Sequence, residues 1–235
     1  MSAQFTGFPL GTRDFFKGLS ENNTRQWFEE NKPFYTDRIL PAAQSFVQDL
    51  GERLQEIAPG IIADTRLNGS GSIFRIYRDV RFSRDKTPYK TYMGIFWWQG
   101  SHKKMESSGF YFHLEHDRLF LYTGLNFFTR QALSAYREYL QNEEHSDALA
   151  DALKKVKKRG YKVGGERYKR FPRDYDKEMK NADLMLYKGL HAVLEDPIPD
   201  EFYVKGLVDI CYEHFHQMAP LHHWLHQMLE TNPPA

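Results

Sequence analysis

Only two residues, His116 and Asp117, separate a run that alternates apolar and polar side chains, Gly109 to Glu115, from another that does the same, Arg118 to Thr123. A link that short joins antiparallel neighbours, because a parallel pair needs a crossover of about a dozen residues or more. Two further stretches that read as strand precede them. From Ile73 onward, Phe74, Ile76, Val80 and Phe82 share one strand face with Arg78, while Arg75, Tyr77, Asp79 and Arg81 take the other; Tyr89 to Trp98 follows. Residues 72–125 are therefore expected to be rich in strand.

On both sides of this region the period changes. Ile39, Ala43, Phe46, Val47, Leu50, Leu54 and Ile57 recur at helical spacing between Pro33 and the breaker pair Pro59-Gly60, which predicts a long amphipathic helix bent at Pro41. Thr12 and Asn23 read as caps of shorter helices that turn Phe15, Phe16, Trp27 and Phe28 toward a core. Helices are expected again after Thr129, behind Ser146 as a cap, from Asp174 to Lys188, and from Asp200 to the end with Pro220 opening the last one. The segment from Lys158 to Arg173 lacks apolar periodicity and reads as a basic excursion. The expected fold class is α+β: one domain over 1–235, with helices in 10–60 and 129–230 flanking a central, mostly antiparallel sheet of about four or more strands.

Composition narrows the functional classes. At 235 residues and 41% hydrophobic content the chain can bury its own core. A net charge of +1 excludes the global electrostatic footprint of a general nucleic-acid binder, so any such role rests on a local patch. The single cysteine, Cys211, forms no internal disulfide and sits in an apolar helical context, which points to a structural thiol. No signal-peptide pattern opens the chain and no run of about 18 apolar residues is present, so a cytoplasmic location away from membranes is expected.

The run from Phe74 to Lys90 carries six basic side chains against Asp79 and Asp85. On a regular pleat Arg78 shares a face with apolar residues, where an unpaired guanidinium is very costly; a carboxylate, backbone carbonyls or a bound anion must meet it. The turn that follows supplies the hydroxyls of Ser83 and Thr87 beside Arg81, Lys86 and Lys90, a combination suited to phosphate or carboxylate. The alternative is an Arg/Asp ion-pair network that pins a loop to a sheet.

Other clusters carry weaker signals. His222 and His226 have the i, i+4 spacing of a metal pair but lack an evident third ligand, so a polar helix face is the reading and no metal is expected. A basic stretch from Lys154 to Arg173, interleaved with Tyr161, Tyr168 and Phe171, suits single-stranded nucleic acid or a solvated helix end. His113, between Tyr111 and Glu115 on one strand face, is a candidate general base. No nucleophile elbow, phosphate-cradling loop or dinucleotide fingerprint occurs, and no cofactor is expected.

The sequence Arg-Asp-Val-Arg-Phe-Ser-Arg-Asp-Lys-Thr-Pro-Tyr-Lys at 78–90 resembles the signature of an uncharacterised family of bacteria and fungi, domain of unknown function 2461. Trp27-Phe28 through Pro41, Gly109 to Leu114, Arg130 to Leu140, Arg159-Gly160-Tyr161 and Pro220-Leu221 agree in order. One departure is Thr123-Gly124-Leu125-Asn126, where the family tends to a Gly-Gly pair and a Trp. The resemblance implies no activity, ligand or catalytic residue. From the residues themselves, the expectation is an anion-binding domain that recognises a phosphorylated small molecule or nucleotide through Arg78, Arg81, Ser83, Lys86, Thr87 and Lys90. Two alternatives stand beside it: an enzyme on such a ligand, with Asp79, Asp85 or His113 moving protons, and a protein-interaction module anchored by Trp97-Trp98.

Overall fold

A computed structural model describes residues 4–231. Five strands, β1 Met93–Trp98, β2 Gly109–Leu114, β3 Arg118–Leu125, β4 Lys162–Gly164 and β5 Leu190–Pro197, form an antiparallel sheet in the order β1-β2-β3-β5-β4. Helices α1 Thr12–Glu21, α2 Arg25–Phe34 and α3 Leu40–Leu54 precede the sheet; α4 Arg130–Leu140, α5 Glu143–Lys158 and α6 Leu207–Glu230 follow its first three strands. The α+β class and the central antiparallel sheet are as expected. No helix among the described residues is long and apolar enough to cross a membrane.

Contacts divide the described chain into two compact units. The first takes residues up to 97, 111–121 and 195–213; the second takes 98–110, 122–194 and 214 onward. In the first unit α3 supplies the core. Phe46 packs on Trp97 and Phe112 with ring centroids 5.8 and 5.1 Å apart, and the buried Trp97 indole donates to the Val47 carbonyl at 2.8 Å. Phe8 stacks on Phe202 at 4.8 Å beside them. In the second unit Tyr136 of α4 packs edge-on against Trp224 of α6 at 5.7 Å, and its buried hydroxyl donates to the Leu184 carbonyl at 2.9 Å. Along β2 and β3 the alternation holds: Phe112, Leu114, Leu119 and Leu121 are buried, while Tyr111, His113 and Phe120 on the other face are only partly covered.

Several elements differ from expectation. The stretch from Ile73 to Phe82 is not one strand. Its first part bridges β1 (Ile73 opposite Ile95), its second pairs with its own return arm (Tyr77 opposite Tyr89), and Phe82 stands 94% exposed. A segment that changes partners between residues 74 and 76 cannot keep one pleat. The long helix begins earlier and is not simply bent. α2 runs through Pro33 into a π-turn, Tyr35–Ile39, whose Leu40 N–H reaches back to the Tyr35 carbonyl, and α3 follows with Pro41 in its first turn. The wider turn lies next to a proline that has no N–H to give the preceding turn.

Caps also moved. Thr24, not Asn23, caps α2; Gly11 precedes α1; Asn142, not Ser146, caps α5 through bonds from the Glu144 and His145 amides. Between Asp174 and Lys188 there is only a 3-10 turn, Ala182–Leu186, after Asn181 in the left-handed region. α6 passes through Pro220 without a new start, since buried residues on both sides, Cys211, Phe215, Leu221 and Leu225, hold one continuous face. The expected extension of this helix to the end falls partly on residues 232–235, outside the described residues. Trp97 and Trp98 are both buried, at 0% and 8% exposure, so neither offers the exposed anchor that an interaction module built on Trp97-Trp98 requires.

Candidate functional site

The basic motif folds as a small hairpin in the first unit. The Arg78 amide donates to the Pro88 carbonyl at 2.9 Å and the Lys90 amide to the Ile76 carbonyl at 2.7 Å, leaving residues 79–87 as its loop. Asp85 turns that loop by accepting the Thr87 amide at 2.9 Å and the Thr87 hydroxyl. The same carboxylate takes Arg78 at 2.5 Å, and the guanidinium also donates to the hydroxyl and carbonyl of Thr87. The carboxylate that Arg78 requires thus comes from across the loop. Asp79 holds Arg81 through two bonds of 2.9 and 2.8 Å, and Lys86 donates to the Val80 carbonyl at 2.8 Å.

These pairs set the protonation states. The Thr87 amide, then Arg78 and the Thr87 hydroxyl, hold Asp85 down to about 2; the Arg81 side chain and amide do the same for Asp79. Both carboxylates are therefore ionised acceptors at neutral pH, with no proton to exchange there.

Lys90 is different. Its ammonium donates to the Arg75 carbonyl at 2.8 Å and sits 5.5 Å from the Phe74 ring centroid, and among the described residues it makes no ion pair. Burial, followed by the Arg75 charge, lowers its pKa. Lys90 lines a cleft of about 560 Å³ with Arg78, Asp79, Asp85 and Thr87. Ser20, Asn23, Tyr89, Thr91 and Tyr92 complete the lining. Arg81, Ser83 and Lys86 do not line it. The hairpin is held to the helices by Asn23, whose side chain both accepts from the Tyr89 amide at 3.1 Å and donates to its carbonyl at 3.0 Å. Phe28 stacks on the Tyr89 ring at 4.1 Å. Asn23 read as a helix cap in the sequence, and nothing there linked it to residue 89.

Tyr92 carries the cleft toward the sheet, stacking on His113 at 4.2 Å. His113 lies between two neighbours of its own strand face: its Nδ1 is 3.3 Å from the Tyr111 hydroxyl and its Nε2 is 3.2 Å from the Glu115 carboxylate. Burial lowers its pKa, with Glu115 opposing.

The remaining candidates are structural in their surroundings. Cys211 is wholly buried and its thiol pKa is pushed far up by that burial. His222 is wholly buried between the Ser108 hydroxyl at 3.0 Å and Gln99 Oε1 at 2.7 Å; burial first, then His223 and His226, brings its pKa down to about 3. No group of three metal-ligating side chains with the right spacing occurs among the described residues. The basic stretch belongs to the second unit, where Arg159 donates to the Gln217 carbonyl and Arg167 pairs with Asp183.

The fold and cleft define an α+β protein with a basic hairpin at the rim of a polar cleft. The chain belongs to the family described as Conserved hypothetical protein (DUF2461), which it matches over residues 11–224. No curated protein and no solved structure matches it.

Proposed function

We propose that the hairpin cleft binds the phosphate of a small phosphorylated molecule or nucleotide. The observation that carries this is Lys90: a partly buried ammonium with no carboxylate partner among the described residues, lining a cleft with Arg78, Ser20, Thr87 and Thr91. Desolvation strengthens a charged contact, and hydroxyl and amide donors complete the oxygen shell of a phosphate. Arg78, already paired with Asp85, would contribute through its remaining N–H groups. Arg81, Ser83 and Lys86 act outside the cleft in this reading, as ties of the loop.

The test is a thermal-shift screen at low salt with inorganic phosphate, sugar phosphates and nucleotides, on wild type, Lys90→Met and Lys86→Met. A ligand at about 100 times its dissociation constant stabilises by about 2.7 kcal/mol. That gain should vanish in Lys90→Met and survive in Lys86→Met. Equal gains in all three proteins, or none in any, would overturn the reading.

A second reading, single-stranded nucleic acid, is favoured by Phe82, 94% exposed on the loop between Arg81 and Arg84. An exposed ring among cations suits base stacking with phosphate contacts. Short oligonucleotides in the same screen separate the two readings, since only this one requires Phe82.

A further inference from the structure

Tyr111 and His113 of β2 and Glu115, the first residue beyond it, stand at alternate positions in hydrogen-bonded order. The Glu115 carboxylate accepts, so Nε2 of a neutral His113 carries the ring hydrogen and Nδ1 is left to accept from the Tyr111 hydroxyl. The ring cannot swing away: Tyr92 stacks on one side at 4.2 Å and Phe120 meets it edge-on at 5.4 Å. Gly94 leaves room for the hydroxyl, since a Cβ at that position would collide with Tyr111 Oη. Phe74 and Phe96 flank the Tyr111 ring at 5.8 and 6.4 Å, giving an apolar surround. A nucleophile, a base on it and a carboxylate orienting the base is the general arrangement of nucleophilic catalysis, here with a phenol in the first place.

We infer that Tyr111 is an activated nucleophile, with His113 as its base and Glu115 as a positioning residue, directed at an electrophilic acyl or phosphoryl centre. The phenol oxygen forms the new bond, the bond to the leaving group breaks and that group departs with its electron pair. The phenolic proton passes to His113 Nδ1, and Glu115 holds the resulting imidazolium. His113 gives that proton to the departing group and is neutral again; it then takes a proton from the attacking water and returns it to the Tyr111 oxygen as the ester bond breaks, which restores the site.

The test does not require a ligand in the cleft, so it stands or falls separately from the anion reading. Benzenesulfonyl fluoride is used as the electrophile: the phenol oxygen bonds to sulfur, fluoride leaves, and peptide mapping identifies the modified tyrosine. Tyr77, 53% exposed and with no histidine bonded to its hydroxyl, is the internal control. Tyr111, although less exposed, should be labelled about 10²-fold faster than Tyr77. The rate should fall about tenfold in Glu115→Gln, fall further in His113→Ala, and be partly restored there by added imidazole, a rescue that a purely structural histidine would not allow. Labelling of Tyr111 no faster than that of Tyr77, or unchanged in Glu115→Gln, would overturn the inference. Glu115 is 41% exposed on its side chain, so this variant decides the matter even if His113→Ala does not fold.

Discussion

Asn23 and Tyr89, 66 residues apart in the chain, exchange two hydrogen bonds, at 3.1 Å from the Tyr89 amide and at 3.0 Å to its carbonyl. One short side chain thereby imitates a strand neighbour and fastens the hairpin to the turn between α1 and α2. Asn23→Ala leaves both backbone groups of Tyr89 without that partner in a partly buried place, and should cost about 1–3 kcal/mol. Urea unfolding followed by tryptophan fluorescence measures this. An unchanged midpoint would show that the hairpin does not depend on the clamp.

Asp85 gives the hairpin a pH signature. Its folded pKa is about 2, below its ordinary value, so its contribution is present at neutral pH and is lost as pH falls from about 4 toward 2. Asp85→Asn should flatten the decline of Tm across that window and, by releasing Arg78, lower Tm at pH 7. A decline as steep as in wild type would mean that other carboxylates carry it.

How far this arrangement was legible in the sequence depends on the distance between partners. The antiparallel β2–β3 pair follows from a two-residue link, and the density of charge in 75–90 marks that segment as a candidate site, although its alternation reads as one strand and a turn rather than a hairpin. Asp85 as the partner of Arg78 was not readable, because a regular pleat has no place for a loop that returns on itself. Asn23 was hidden for the same reason over a longer span. β5 was missed although Leu190 and Ala192 are buried on alternate positions, since its other end carries the charged pair Glu195-Asp196 and then Pro197, with no apolar alternation. The Pro220 error shows tertiary burial overriding a local breaker.

His222 acts over a different pH range. With a folded pKa of about 3, it stays neutral while the unfolded chain takes up a proton, so stability is lost as pH falls from about 6.5 toward 3. His222→Gln, which keeps two polar groups near Ser108 and Gln99, should reduce that loss even if it lowers stability at pH 7. The denaturant midpoint from pH 7 to pH 4 measures the slope; equal slopes would remove His222 as the cause.

Gly124 on β3 has φ +130°, and a Cβ there would strike the Leu190 carbonyl on neighbouring β5. Both strain and collision involve backbone, which cannot swing aside as a side chain does. Gly124→Ala should therefore cost about 1–3 kcal/mol, measurable as a drop in Tm. A neutral effect would mean that β3 and β5 separate at this point without penalty.

The most direct test of the anion-binding reading is an amide-resolved NMR titration of the labelled protein with pyrophosphate at low salt. Saturable shifts concentrated at Ser20, Asn23, Thr87, Lys90, Thr91 and Tyr92, and abolished in Lys90→Met, are the expected result. Shifts confined to the lysine-rich end of α5, or scattered and unsaturable over exposed basic side chains, would contradict it and leave the hairpin as a structural tie alone.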